Sequence, residues 1–182
     1  MSDNGSIVYK LKDVPRISSR NNRLSVGTAD DTEEFADYRW KVRISHYVAI
    51  STSVQVDGFP AHPINFFMQK FGFVPIKQHG LRNKQIYSEI TFDVDTSSDL
   101  LDAQKIDWYW KVRNVGEEAI RRNDIRGEIF PEKPVHNKVT HIEPIVFKGP
   151  HFVEVYGIKN SVLVVFGKVD VILNDGSELS IM

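Results

Sequence analysis

The chain has 182 residues, 41% hydrophobic and 26% charged, a balance that suits one soluble domain with a single substantial core. Its net charge of -1 gives no bulk attraction to nucleic acid or to an anionic membrane, although a local basic patch is compatible with it. There is no cysteine, which excludes disulfides, thiolate nucleophiles and thiolate zinc sites.

The opening MSDNGSIVYK lacks the apolar stretch of a signal peptide, and the longest apolar run, VLVVF, is far too short to span a bilayer. A cytoplasmic protein with no membrane association is expected. Residues 1–34, which hold SSRNNR and GTADDTEE, read as an N-terminal extension, partly disordered or an edge strand. Residues 35–182 read as the folded domain.

From Trp40 the even positions run Trp40, Val42, Ile44, His46, Val48, Ile50, Thr52, Val54 and Val56. The odd positions carry Lys41, Arg43, Ser45, Ser51, Ser53, Gln55 and Asp57. This is the period of a half-buried strand. It exceeds an ordinary strand of roughly 5–6 residues, so the chain either bends near His46 or runs on as a strand shared by two sheets. Next, HPINFFMQKFG sets Ile64, Phe67, Met68 and Phe71 on one helical face, with Pro63 fit to start the helix and Gly72 to end it. A short amphipathic helix capping the β structure is predicted. KQHGLRNKQ follows, a basic loop carrying Lys77, His79, Arg82 and Lys84; it reads as a phosphate site or as a loop made soluble by its lysines.

Ile86, Ile90, Phe92 and Val94 mark a further strand, and residues 95–104 a polar connection. In DWYWKVRNVG, Trp108, Trp110 and Val112 share an apolar face with Ile106, while Asp107, Tyr109, Lys111 and Arg113 share the other. WKVR thus occurs twice, at residues 40–43 and 110–113, and both copies read as scaffold with Trp and Val inward and Lys and Arg outward. The flanking sequences differ and no period recurs, so a duplication is not indicated. Asn114 and Gly116 suit a turn at the strand end. Residues 131–144, PEKPVHNKVTHIEP, read as a long irregular loop. Finally HFVEVYGI, Lys159-Asn160-Ser161 and VLVVFGKVDVIL read as a hairpin, with a bulge expected at Gly167. The total is about seven or eight strands, long loops and one or two short helices. That predicts an all-β, immunoglobulin-like β-sandwich, with a barrel as the alternative.

Among chemically suggestive residues, Arg121, Arg122 and Arg126 lie close to Lys111 and Arg113. Arginine forks match phosphate bidentately, so they suit an anion site. Glu117, Glu118, Asp124 and Glu128 are interleaved, so a solvated loop of local ion pairs is the competing reading. Tyr109, beside cations, suits stacking on a base or a cross-strand contact with Tyr47. His46 reads as a core histidine; His136 and His141 lack metal-site spacing. His151 either orients its turn or touches a ligand. No nucleophile constellation, metal set or glycine-rich phosphate cradle is readable, so no catalytic residue, metal or cofactor is assigned.

DWYWKVRNVGEEAIRRNDIRGEI resembles the AGS-C domain, the C-terminal sensor domain of bacterial nucleotidyltransferases and nucleotide cyclases in anti-phage second-messenger systems. Trp110, Lys111, Val112, Asn114, Gly116, Ala119, Arg126, Gly127 and Ile129 carry the likeness. FKGPHFVEVYGIKNSVLV carries a second block through Gly149, His151, Val153, Glu154, Lys159 and Asn160. DYRWKVRI suits the family's opening strand, so the likeness runs from about residue 35 to 173. No segment resembles the family's catalytic partner, so the chain is expected to be a sensor domain from a longer enzyme or a free-standing one, and not itself an enzyme. The resemblance implies binding of a nucleotide or nucleic-acid-like anion and control of a nucleotidyltransferase or cyclase domain in the same or a neighbouring chain. Arg121, Arg122, Arg126, Arg82, Lys84, Tyr109, Arg113 and His151 are the candidate ligand residues. The alternative function is a protein-interaction module that docks, as a homodimer or on another partner, through an edge strand or the helix around Phe67.

Overall fold

A computed structural model describes residues 33–56, 60–72, 77–79, 85–96, 105–146 and 149–173. Helix α1 (Ala36–Arg39) leads into β1 (Lys41–Tyr47), and β2 (Ile50–Val56) follows after a two-residue break. Strand β3 (His62–Pro63), α2 (Ile64–Phe71), β4 (Lys77–His79), β5 (Gln85–Val94) and β6 (Asp107–Asn114) come next. Then come α3 (Glu117–Arg122), β7 (Arg126–Pro131), β8 (Thr140–Pro144), β9 (Pro150–Lys159) and β10 (Val162–Ile172). One five-stranded sheet has the order β1-β10-β9-β6-β7. The other runs β3-β2-β5, with β4 and β8 both on the far side of β5. The architecture is all-β, an immunoglobulin-like sandwich.

The long alternating run is divided between the sheets. Val48 N–H still donates to Phe166 O of the first sheet, at 3.0 Å, while Ala49 O accepts from Asp95 N–H beside the second, also at 3.0 Å. The switch needs close approach at Gly167, where an added Cβ would lie 2.8 Å from Val48 O. Gly167 is therefore not the bulge expected there; crowding explains it. The bulge sits at Val164, between Leu163 and Val165. One extra residue reverses the alternation, so Leu163 and Phe166 face outward while Val165 faces the other sheet.

The hairpin turns at Asn160 and Ser161, both with positive φ (51° and 61°), as a two-residue turn between right-twisted strands requires. Pro63 precedes the first residue of helix α2, which ends on left-handed Gly72 (φ 75°) and buries Phe67. Trp108, Trp110 and Val112 from β6 meet Val54, Ile90 and Phe92 from the other sheet in the central core. β8 and α3 occupy stretches that read as loops.

Both WKVR copies differ from expectation. Trp40 ends α1 and lies on the outer face of the first sheet, against Tyr109, and Val42 is exposed. Lys111, expected outward in solvent, has 0% exposure. The cause is a strap, residues 33–40, laid over that outer face. It closes a second, smaller core of Ala36, Ile129, Tyr156, Ile158, Leu163 and Phe166.

Candidate functional site

Two polar clusters meet at the start of β7. The first lies where the sheets part, between the β6 end, the β7 and β9 starts and β8. Arg126 donates two parallel hydrogen bonds to Glu143, at 2.8 and 3.0 Å. Glu143 also faces His141 Nε2 at 2.8 Å, and His141 Nδ1 faces Glu132 at 2.6 Å. Both ring nitrogens can donate only as imidazolium. Burial alone would lower the His141 pKa, but the Glu143 hydrogen bond and the charges of Glu132 and Glu143 raise it above its ordinary 6.5. Burial pushes Glu143 up, yet His141 and Arg126 hold it down at about 2. His151 lies beside them and is buried, which lowers its pKa and leaves it neutral at pH 7.

Arg126 adopts a left-handed backbone conformation, φ 58°. A non-glycine residue held there costs roughly 1–3 kcal/mol and needs its surroundings to enforce it. Asn114 helps: its side chain donates to Asp124 O at 2.8 Å and its N–H to Ile125 O at 2.9 Å. Asn114, Asp124, Arg126, Glu143 and His151 rim a cavity of about 40 Å³ floored by Ile90, Phe92, Val112 and Leu173. That volume holds a water or two. Pockets that enclose a small-molecule ligand are on the order of 300–1,000 Å³, so only a terminal group of a larger ligand fits.

The second cluster pins the strap. Lys111 Nζ lies 2.7 Å from Glu33, 3.6 Å from Glu154, and donates to Glu34 O at 3.0 Å. Phe35 and Phe152 rings flank it at 5.2 and 5.6 Å. Arg113 Nε lies 3.2 Å from the other Glu33 oxygen, and Tyr156 donates its hydroxyl to Glu154. Burial first, and the Glu154 charge second, raise the Tyr156 pKa well above 10.0, so that hydroxyl keeps its proton. Glu34 N–H donates to Gly127 O at 3.0 Å, and Ile129 N–H donates to the Glu34 carboxylate at 2.7 Å. At Gly127 (φ 126°) a Cβ would come within 3.1 Å of Glu33 Cα. Glycine is therefore required for the strap to close.

Of the sequence-predicted residues, the structure brings Arg126 and His151 together at the cavity. Arg122 reaches its edge by donating to Val146 O at 3.2 Å. Arg121 stays outside and shares Glu118 with Arg122; the hydrogen bonds from the two arginines lower the Glu118 pKa. Arg113 faces the strap and donates to Arg126 O at 3.1 Å. Tyr109 packs on Trp40 at 4.7 Å, and Tyr47 instead meets Phe166. Arg82 and Lys84 lie outside the described residues. Glu143, Glu132 and the charged state of His141 were missed, because their pairing depends on β8, which the prolines disguised. Among the described residues, no group of three His, Cys, Asp or Glu could hold a metal ion.

The His141 cluster makes stability pH-dependent. His141 has a raised folded pKa, so its contribution is full below its ordinary 6.5 and lost as pH rises through the folded value. Glu143 has a depressed one, so its contribution is full above its ordinary 4.5 and lost as pH falls toward about 2. Thermal unfolding against pH should show the advantage of the native protein over His141→Gln flat from about 4.5 to 6.5 and shrinking above. An advantage that grows above pH 7 contradicts the imidazolium assignment.

The family model described as Adenylyl/Guanylyl and SMODS C-terminal sensor domain matches residues 30–174. No curated protein and no solved structure matches the chain. The two sequence blocks that carry the resemblance lie on neighbouring strands in register, Lys111 opposite Glu154 and Asn114 opposite His151. The first pair secures the strap and the second lines the cavity. No helix among the described residues is long and apolar enough to cross a membrane.

Proposed function

From the premise that the chain belongs to the adenylyl/guanylyl and SMODS C-terminal sensor domain family, we propose that it senses a phosphate-bearing nucleotide or oligonucleotide and controls an associated nucleotidyltransferase or cyclase. The ligand's phosphate docks at the rim beside Arg126. One observation carries the reading: a two-residue stretch of backbone, Arg126–Gly127, serves both clusters. The Arg126 side chain borders the cavity, its carbonyl accepts from Arg113, and the next carbonyl accepts from the strap residue Glu34. A ligand that takes the Arg126 fork from Glu143 would leave that carboxylate still paired with His141. Arg126 can therefore be surrendered without stranding a buried charge. The freed backbone relaxes and loosens its hold on Glu34, so the strap is the output.

Thermal unfolding against nucleoside mono- and triphosphates, cyclic dinucleotides and short oligonucleotides tests this. A ligand at 100 times its dissociation constant adds about 2.7 kcal/mol of stability. Arg126→Gln should abolish that gain while leaving the fold intact. Stabilisation equal in the two proteins, or none by any nucleotide, contradicts the proposal. Exposed Met68 and Phe71 on α2 favour the second reading, a protein-interaction module. A dimer in light scattering, with no nucleotide effect, would select it.

A further inference from the structure

We propose that the cavity beside Arg126 reads the sugar of its ligand: a ribose 2′-hydroxyl enters it and donates to Asn114 Oδ1, while the phosphate on the neighbouring carbon stays at the rim. This rests on the nucleotide reading above and adds to it a preference for ribonucleotides over deoxyribonucleotides.

The lining offers acceptors more than cations. Among the residues that line the cavity, Arg126 is the one cation, set against Asp124 and Glu143, since burial keeps His151 neutral. Both carboxylates favour the Arg126 charge. The same two repel a phosphate from the interior and hold it at the rim. What the interior lacks is a donor.

Asn114 shows where that donor goes. Its backbone is fixed by pairing opposite His151 and by its N–H bond to Ile125 O at 2.9 Å. Its side chain donates from Nδ2 to Asp124 O at 2.8 Å, which settles which way the amide points. The residue is 4% exposed, yet Oδ1 accepts no hydrogen bond among the described residues. Trp110 Nε1 is the unpartnered side-chain atom sealed inside the described structure; Asn114 Oδ1 is not sealed, and the opening that Asn114 lines is this cavity. A space of about 40 Å³ admits a hydroxyl but neither a base nor a sugar ring. The floor of Ile90, Phe92, Val112 and Leu173 offers no polar side chain in its place, which raises the cost of leaving that oxygen unmet. In RNA the 2′-hydroxyl and the 3′-phosphate hang on adjacent carbons, so one ribose can serve Asn114 and Arg126 together. DNA has no hydroxyl there.

Calorimetric titration with uridine strands of about eight nucleotides that differ only at the 2′ position tests this on the unaltered protein. Strands with 2′-hydroxyl or 2′-amino groups should bind. Strands with 2′-hydrogen, 2′-fluoro or 2′-O-methyl groups should bind about 10-fold more weakly, because none has a proton to give Oδ1. The fluoro strand keeps the RNA-like sugar pucker, so it isolates the missing donor. Uridine 3′-monophosphate should likewise exceed its 2′-deoxy form. In Asn114→Ala the ribo and fluoro strands should come within about twofold of each other. Both strands meet the same protein, so any loosening of the turn cancels; if the variant does not fold, the strand series decides alone. Equal binding of ribo and fluoro strands overturns the hydroxyl site and leaves the phosphate reading standing. Tight binding of the 2′-O-methyl strand overturns it too, by showing that the apolar floor takes a methyl group. No binding by any strand or by the monophosphate overturns both.

Discussion

Lys111→Ala is expected to destabilise the protein by about 3–5 kcal/mol, the cost of removing the cation from a buried ion pair. Lys111 and Glu154 both have 0% exposure, and Glu33 only 10%. Removing the ammonium takes away the 2.7 Å bond to Glu33 and the 3.6 Å ion pair to Glu154, while the Tyr156 hydroxyl stays on Glu154 and Arg113 stays on Glu33. Thermal melts should fall by roughly 2–4 °C per kcal/mol for a chain of this size. Lys111→Met/Glu154→Gln should recover most of the loss, because glutamine still accepts from Tyr156 and no charge is left without a counterion on β9. A single variant that melts like the native protein would mean that water reaches this cluster.

Trp110→Ala should cost about 3–5 kcal/mol by opening a cavity between the sheets. Trp110 is fully buried, 5.5 Å from the His141 ring and in contact with the central core. Trp110→Phe should cost clearly less, because the indole Nε1 has no hydrogen-bond partner among the described residues and its removal strands nothing. Urea denaturation of both variants decides this; equal losses would show a partner for the indole.

Alternation revealed the strands, the inward Trp108 and Trp110, and the hairpin at Asn160, since each depends on neighbours in sequence. Lys111 shows where such reading ends. Period two tells which face a residue takes but not what lies over that face. Its main partner, Glu33, is 78 positions away. Trp40 misled for the same reason, as it belongs to α1 and the strap rather than to the strand that follows. The site was half legible: Arg126 and His151 converge, whereas Arg121 and Arg113 are committed to Glu118 and Glu33. Glu143 and the charged pairing of His141 escaped notice inside a proline-rich stretch that forms β8 after all.

Amide hydrogen exchange of the strap in native protein and in Arg126→Gln tests the coupling directly, and it needs no ligand. The Arg126 side chain bonds Glu143, not the strap, so it can act there only through its backbone. Faster exchange at Glu34 and across residues 35–40, with the amides of β9 and β10 unchanged, is the predicted result. Unaltered strap protection would mean that the cavity and the strap are independent, and the sensor would need another route to its enzyme.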